Sequence, residues 1–311
     1  MSTLDVRVAD ARMLTPVVRE LTLTAVRGAL PAFSSGSHVQ LLMRDGERAY
    51  RNAYSLAGDP AERGVYRIAV RRQDASRGGS AFVHERLDAG AQLRITAPAN
   101  LFALDGTARH HVLVAGGIGI TPFIAHLAEL ERRQASHELH YAYRPGLTDA
   151  YRDALEARLG ARFHGYDGMR DRFDAATLLE RQPLGTHVYV CGPERLLDAV
   201  RDAAKALGWP DGRVHWEAFA APAPGRPFSA DLRRSGRRVE VGADQSLLEG
   251  LESAGVEIPN LCRGGACGQC ATRYLDGDVE HRDTFLDADA RATHLMPCVS
   301  RACGAALTLD L

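Results

Sequence analysis

Cys262-Arg-Gly-Gly-Ala-Cys267-Gly-Gln-Cys270, answered by Cys298 in Leu295-Met-Pro-Cys-Val, is the stretch from which the rest of this sequence can be read. Three thiols spaced C-x4-C-x2-C with a fourth far downstream match the plant-type spacing in which four thiolates hold two bridged irons. A segment that curls around one cluster needs residues that let backbone N–H groups approach the sulfurs. Gly264, Gly265 and Gly268, with the small Ala266 and Ala271, supply them. Two other readings exist: a four-cysteine zinc site, which more often shows two C-x2-C knuckles, and a chance grouping of reduced core cysteines.

At 311 residues the chain is too long for one ordinary core, and its length suggests two or three domains. The formal net charge is -1, so nothing points to nucleic acid or to an anionic membrane. Basic residues are almost all arginine, Lys205 being the lone lysine. No apolar run follows a basic start, and none approaches the ~20 residues that span a bilayer. A cytoplasmic protein is expected, and six cysteines, four of them in a cluster pattern, fit a reducing compartment better than a disulfide framework. Cys191 and Cys303 are left over and read as small packing residues.

Working back to the start, the first hundred residues carry short alternating segments at Leu21–Ala25, His38–Met43, Val65–Arg71 and Gln92–Thr96, with Gly, Asp and Pro between them. They predict a small antiparallel barrel. Arg51-Asn-Ala-Tyr54-Ser55 places a cation, a phenol and a hydroxyl at a strand end, which an ordinary surface strand also does. Arg77-Gly78-Gly79-Ser80 opens a helical-looking segment, so it reads either as a phosphate-binding helix N-terminus or as a plain Ser N-cap.

A different texture follows, in which buried strands alternate with helices. His111–Ala115 is a strand, Gly116-Gly117-Ile-Gly119-Ile-Thr121-Pro122 a glycine turn, and the segment from Phe123 a helix, with Thr121 able to cap it. The turn lies where an α/β domain holds a dinucleotide, although it is not the G-x-G-x-x-G fingerprint. His110 and His111 read as surface residues. Leu139–Tyr143, a helix over 150–159, the strand ending in Cys191-Gly192-Pro193 and the helix 194–207 complete a parallel-sheet pattern. Phe219 to Pro227, rich in Pro and Ala, marks a boundary. Beyond it come a strand at Arg237–Val241, a helix over 245–254, and the cysteine loop. Arg233, Arg234, Arg237 and Arg238 read as a solvated strand pair or, alternatively, a docking patch for an acidic partner.

Together these motifs resemble the phthalate dioxygenase reductase family, the flavin–iron–sulfur reductases that also serve vanillate demethylases and related Rieske oxygenases. The resemblance covers essentially the whole chain, including domain order; in other well-known oxygenase reductases the ferredoxin domain stands first and the flavin is FAD. It implies a multidomain α+β chain: an antiparallel FMN-binding β-barrel over 1–104, a parallel-sheet α/β NAD-binding domain over 105–220, a linker over 221–228, and a C-terminal β-grasp 2Fe-2S ferredoxin domain over 229–311.

Carried over by residue, the family's Arg-x-Tyr-Ser flavin motif falls on Arg51, Tyr54 and Ser55, with two residues instead of one between Arg51 and Tyr54. The turn at Gly78, Gly79 and Ser80 would bind the FMN phosphate. Gly116, Gly117, Gly119 and Thr121, with Cys191, Gly192 and Pro193, would bind the pyridine nucleotide. Phe219 would shield the flavin, and Cys262, Cys267, Cys270 and Cys298 would hold the 2Fe-2S cluster.

The resemblance therefore implies the reductase component of a multicomponent oxygenase, moving electrons from NADH through FMN and the cluster to a terminal oxygenase of Rieske type. No side chain is required as an acid or base, because the cofactors carry the chemistry. A monomer without nucleic-acid or membrane partners is expected. Two rivals remain: an NADH-dependent reductase of a cytochrome or a separate ferredoxin, and a non-enzymatic iron–sulfur carrier.

Overall fold

The computed structural model describes residues 3–46, 48–73, 78–219 and 224–311. The chain divides into two compact units, Met1–Phe219 and Ala220–Leu311. Arg77 and residues 220–223 of the Pro- and Ala-rich linker lie outside the described residues.

The first unit opens with an antiparallel sheet of strands β1 (Thr3–Thr15), β2 (Val18–Ala25), β3 (Ser37–Asp45), β4 (Arg48–Ser55), β5 (Tyr66–Arg71), β6 (Gln92–Thr96) and the short β7 (Ala99–Asn100). Its order is β4-β3-β6-β1-β2-β5, with β7 beside β3. The sheet curls around Val6, Val8, Leu21, Leu23, Val39, Leu41, Ile68 and Ile95, all fully buried. Four of the seven strands coincide with the alternating segments of the sequence. The longest, β1, does not: its register shifts between Val8 and Asp10 and again between Met13 and Thr15. Each such irregularity breaks the two-residue period on which strand recognition rests.

A parallel sheet follows, with β8 (His110–Gly116), β9 (His137–Tyr143), β10 (Phe163–Asp167), β11 (Thr186–Gly192) and β12 (Val214–Ala218) in the order β10-β9-β8-β11-β12. After α1 (Gly79–Arg86) of the barrel come the sheet's helices α2 (Thr121–Arg132), α3 (Arg152–Leu159), α4 (Ala175–Glu180) and α5 (Glu194–Ala206). The chain runs outward from β8 in both directions, so the strand order reverses between β8 and β11. That is the switch point where open α/β sheets bind ligands, outside the strands' carboxyl ends.

Three sequence expectations are corrected here. Thr121 does not cap α2 but begins it, its hydroxyl donating back to the Ile118 carbonyl at 3.0 Å. Ser80 is not the cap of α1, a position taken by Gly78. His111 is not a surface residue, being 4 % exposed and stacked on Tyr189. Of the two spare cysteines, Cys191 is buried as a packing residue would be, whereas Cys303 is exposed.

Barrel and parallel sheet pack through Val18, Ala69 and Ala150, with Leu14, Val17, Ile118 and Tyr151 around them. The contact is also pinned by polar bonds: Thr15 Oγ1 donates to the Leu147 carbonyl at 2.7 Å, and the Tyr151 hydroxyl to Glu20 Oε2 at 2.6 Å. Burial first, then the Glu20 carboxylate, push the Tyr151 phenol well above its ordinary pKa, so this proton stays in place.

The second unit contains β13 (Phe228–Leu232), β14 (Arg237–Val241), α6 (Leu247–Ser253), β15 (Thr272–Asp276), β16 (Val279–Glu280), α7 (Ala288–Arg291), β17 (His294–Leu295), β18 (Arg301–Ala302) and β19 (Ala306–Leu309). Its main sheet runs β14-β13-β19-β15-β17, and β13 is parallel to β19. Arg301 is buried, donating to the carbonyls of Gln245, Arg226 and Gly242 at 2.7–3.0 Å while its guanidinium lies over the Phe228 ring. Helix α6 starts from a capping box in which Ser246 accepts from the Glu249 N–H and Glu249 accepts from the Ser246 N–H. Ser246→Ala should therefore cost about 1 kcal/mol of stability, read as a lowered unfolding midpoint of the ferredoxin-type unit.

Candidate functional site

Strand β4 sets the first part of the site. Its register against β3 opposes Tyr50 to Met43, Asn52 to Leu41 and Tyr54 to Val39. Directly opposed residues share a face, so Tyr50, Asn52 and Tyr54 point one way. Arg51 and Ser55 point the other, and Arg51 Nε donates to Gln40 Oε1 at 2.6 Å.

The turn before α1 lies on the Tyr50–Asn52 face. A β-carbon on Gly78 would come within 2.5 Å of the Tyr50 hydroxyl, and one on Gly79 within 2.6 Å of Asn52 Oδ1. Gly78 has φ +118°, a conformation open to glycine. While the Ser80 hydroxyl accepts from the Gln73 N–H, the structure sets Gly78 and Gly79 on the face of β4 that carries Asn52 and Tyr54 and leaves Arg51 on the far side. The extra residue between Arg51 and Tyr54 has this effect, because a one-residue shift in a strand exchanges faces. Asn52, which no motif in the sequence marks, stands two before Tyr54.

The Tyr54 hydroxyl is buried without a hydrogen-bond partner, and burial pushes its pKa above that of a free phenol. An orphaned buried donor of this kind calls for a ligand acceptor. On the same face of β4 as the glycine turn that opens α1, it suits an aromatic, phosphate-bearing group.

The second part lies at the carboxyl ends of β8 and β11. A β-carbon on Gly116 would meet Pro193 Cδ at 2.7 Å, and one on Gly119 would overlap the Cys191 carbonyl. Gly116 and Gly119 are thereby brought against Cys191, Gly192 and Pro193 at the switch point, whereas Gly117 lies beside Thr148 and Thr121 turns its hydroxyl back to Ile118. Cys191 lies opposite Glu217 in the β11–β12 register, and Ser55 Oγ donates to Glu217 Oε2 at 3.3 Å. Burial first, then the Glu217 charge, raise the Cys191 thiol well above its usual pKa, keeping it protonated. Glu217 thus joins the barrel to the parallel sheet beside Cys191, at the carboxyl end of β11. No local motif marks it, since its partner Ser55 lies 162 residues away. Phe219 is 38 % exposed and ends the first unit.

The third part is the cysteine loop between α6 and β15. Its thiols form two pairs. Cys270 Sγ and Cys298 Sγ are buried 3.3 Å apart, and Cys262 and Cys267 are in contact, with the Gly264 N–H donating to Cys262 Sγ at 3.3 Å. Contact with Cys262 first, aided by backbone N–H groups, pulls the Cys267 thiol below its usual pKa. Gly265, at φ +76°, lies so close to Val299 that a β-carbon would meet its Cγ2 at 2.7 Å.

Arg263 holds this loop in place. Its guanidinium donates to both Glu252 oxygens on α6 at 2.8 Å and to Asn260 Oδ1 at 3.2 Å. Two pairs of sulfurs fed by backbone N–H groups fit a cluster of two irons with two thiolates each.

A flavin-type barrel face, a nucleotide switch point and a four-thiol loop in one chain define the class of pyridine-nucleotide-dependent flavin and iron–sulfur oxidoreductases. Known proteins agree. Residues 230–306 match the family model for the 2Fe-2S iron-sulfur cluster binding domain, and residues 96–214 match that for the dimethylamine monooxygenase subunit DmmA-like N-terminal domain. The chain is 60 % identical, over 100 % of both sequences, to the heme-dependent oxidative N-demethylase beta subunit of Ectopseudomonas mendocina. It is 42 % identical to the carnitine monooxygenase reductase subunit of Escherichia coli, covering 99 % of this chain and 98 % of the other. Among solved structures it matches phthalate dioxygenase reductase with a TM-score of 0.88 at 35 % identity, covering 100 % of this chain and 98 % of that one. The chain belongs to the phthalate dioxygenase reductase family, whose members are reductase components of multicomponent oxygenases.

Two substitutions probe the geometry. Gly78→Ala, forced into the Tyr50 ring at positive φ, should weaken flavin retention at least about tenfold, measured as flavin released on dilution. Arg263→Ala leaves Glu252 without its partner and should cost about 2–3 kcal/mol, seen as earlier thermal loss of the cluster absorbance.

Proposed function

We propose that this chain carries electrons one at a time from NADH, through FMN and a 2Fe-2S cluster, to a haem-dependent oxygenase that demethylates amines. The observation carrying the choice of partner is the end-to-end similarity to a heme-dependent N-demethylase subunit at 60 % identity. The match of residues 96–214 to a dimethylamine monooxygenase domain supports it. A second reading, a Rieske-type oxygenase as partner, is favoured by relatives at 42 % and 40 % identity named for carnitine monooxygenase and phthalate 4,5-dioxygenase.

When bound, the flavin supplies the conversion between the two-electron nicotinamide and the one-electron cluster. The chain's own residues bind and orient. Tyr54 offers its buried hydroxyl and ring to the flavin, and the Gly78-Gly79-Ser80 turn offers N–H groups at the start of α1 to its phosphate. Asn52 supports that turn from below, while Arg51 braces β4 from the other face through Gln40. Gly116, Gly117, Gly119 and Thr121, with Cys191, Gly192 and Pro193, take the dinucleotide, the missing β-carbons allowing its backbone-close approach. Ser55 and Glu217 fix the barrel against β12, and Phe219 covers the flavin face. Cys262 and Cys267 hold one iron, Cys270 and Cys298 the other.

This assignment goes with a division into a flavin barrel over 1–104, a nucleotide domain over 105–220, a linker over 221–228 and a ferredoxin domain over 229–311. With it goes the proposal that the protein works in the cytoplasm as a monomer. No described helix is long and apolar enough to cross a membrane.

The test is anaerobic titration with NADH followed by reconstitution. NADH should bleach both flavin and cluster bands in the wild type, and only the flavin in Cys267→Ser. Failure of NADH to bleach either would overturn the relay and leave a plain iron–sulfur carrier. Amine-dependent NADH oxidation should then appear with a haem N-demethylase catalytic partner; turnover with a Rieske oxygenase alone would move the assignment to the second reading.

A further inference from the structure

The parallel sheet carries a second concentration of chemistry at its opposite edge, the amino ends of the strands, far from the switch point. Glu138 on β9 is approached there by three imidazoles from three adjacent strands. His140 Nε2 lies 3.1 Å from Glu138 Oε1, His164 Nε2 on β10 lies 3.7 Å from Glu138 Oε2, and His110 Nε2 on β8 lies 4.0 Å from Oε1. The donor atoms of Glu138, His140 and His164 all lie within 4.8 Å of one another. Parallel pairing makes this happen: His164 lies opposite His140, whose ring it stacks on at 4.5 Å between centroids.

The surroundings orient these donors as a metal's outer ligands would. His140 is 5 % exposed; its Nδ1 is engaged by the Tyr166 hydroxyl at 2.8 Å, yet its Nε2 has no hydrogen-bond partner and points at the carboxylate. His110 Nδ1 is likewise taken by Ser136 Oγ at 2.8 Å, and Gln182 Nε2 donates to Glu138 Oε1 at 2.8 Å. Ligating histidines characteristically have their other ring nitrogen hydrogen-bonded to an oxygen. On the sheet's other face, Asp105, His187 and His215 form a similar group, but there His187 and His215 hydrogen-bond each other at 3.0 Å.

We propose that Glu138, His140 and His164 form a binding site for one divalent transition-metal ion of the zinc type, with His110 as a fourth donor. Imidazole and carboxylate suit zinc, which takes four such ligands in a tetrahedron. The ion would tie β10, the edge strand of the sheet, to β9 and β8, giving it a structural part outside the electron path.

The test is calorimetric titration of zinc chloride into the oxidised holoprotein, with flavin and cluster loaded so that the four loop thiols are occupied. One saturable site and a raised unfolding temperature are expected. His164→Gln, at a half-exposed position, and Glu138→Gln, which retains hydrogen-bonding oxygen, should each weaken zinc at least about tenfold with unchanged flavin and cluster absorbance. His215→Gln should leave binding as it was. Absence of saturable binding, equal affinity in the wild type and His164→Gln, or loss in His215→Gln instead would overturn the proposal.

Discussion

Close approach of backbone to backbone is the constraint on which this molecule depends. At the switch point the chain after β8 must lie directly against the end of β11, and only a residue without a β-carbon at Gly119 permits it. The same requirement recurs where the turn before α1 settles on Tyr50 and Asn52. Groups that bind a phosphate or a pyrophosphate do so largely through backbone N–H groups, and these are useful only where no side chain keeps the ligand away. The glycines therefore do more than ease turns: they set how deep each binding surface can be.

Around these approaches the first unit is a two-part frame. An antiparallel sheet supplies β4 and its tyrosines, a parallel sheet supplies the carboxyl ends of β8 and β11, and the Ser55–Glu217 bond joins them at the site itself. Tyr151 and Glu20 make a second, buried join away from it. The second unit repeats the principle with different means. Arg263 fastens the cysteine loop to α6, and Arg301 gathers three carbonyls into one guanidinium, so two buried cations organise what the small hydrophobic core alone would leave loose.

How much of this is legible in the chain differs by part, for physical reasons. The cluster loop is legible because its ligands are local and their spacing is their meaning. The switch-point turns are legible as strand, glycines, helix. Strand β12, Val-His-Trp-Glu-Ala, is not, because it carries His215 and Glu217 where a buried strand would carry apolar residues. Strand β10 hides in the same way behind His164. Parity on β4 is harder still: the sequence shows Arg51 near Tyr54, and only the register shows that they face apart and that Asn52 shares the tyrosine's side. Glu217 and Arg263 take their roles from partners on other elements, which no local pattern reveals.

The order of strands in the second unit also bears on how the protein is made. Its central strand, β19, is synthesised last, and β13, synthesised first, needs β19 as its parallel neighbour. Domains generally fold during synthesis from the amino end, so the first unit can be complete while the second has no sheet to join. The cysteine loop therefore leaves the ribosome before the strand that completes its unit's sheet, and that sheet closes only once residues 306–309 have taken the middle place. Closure of the sheet that frames the cysteine loop is in this sense a late event in the life of the chain, timed by topology and not by the loop itself.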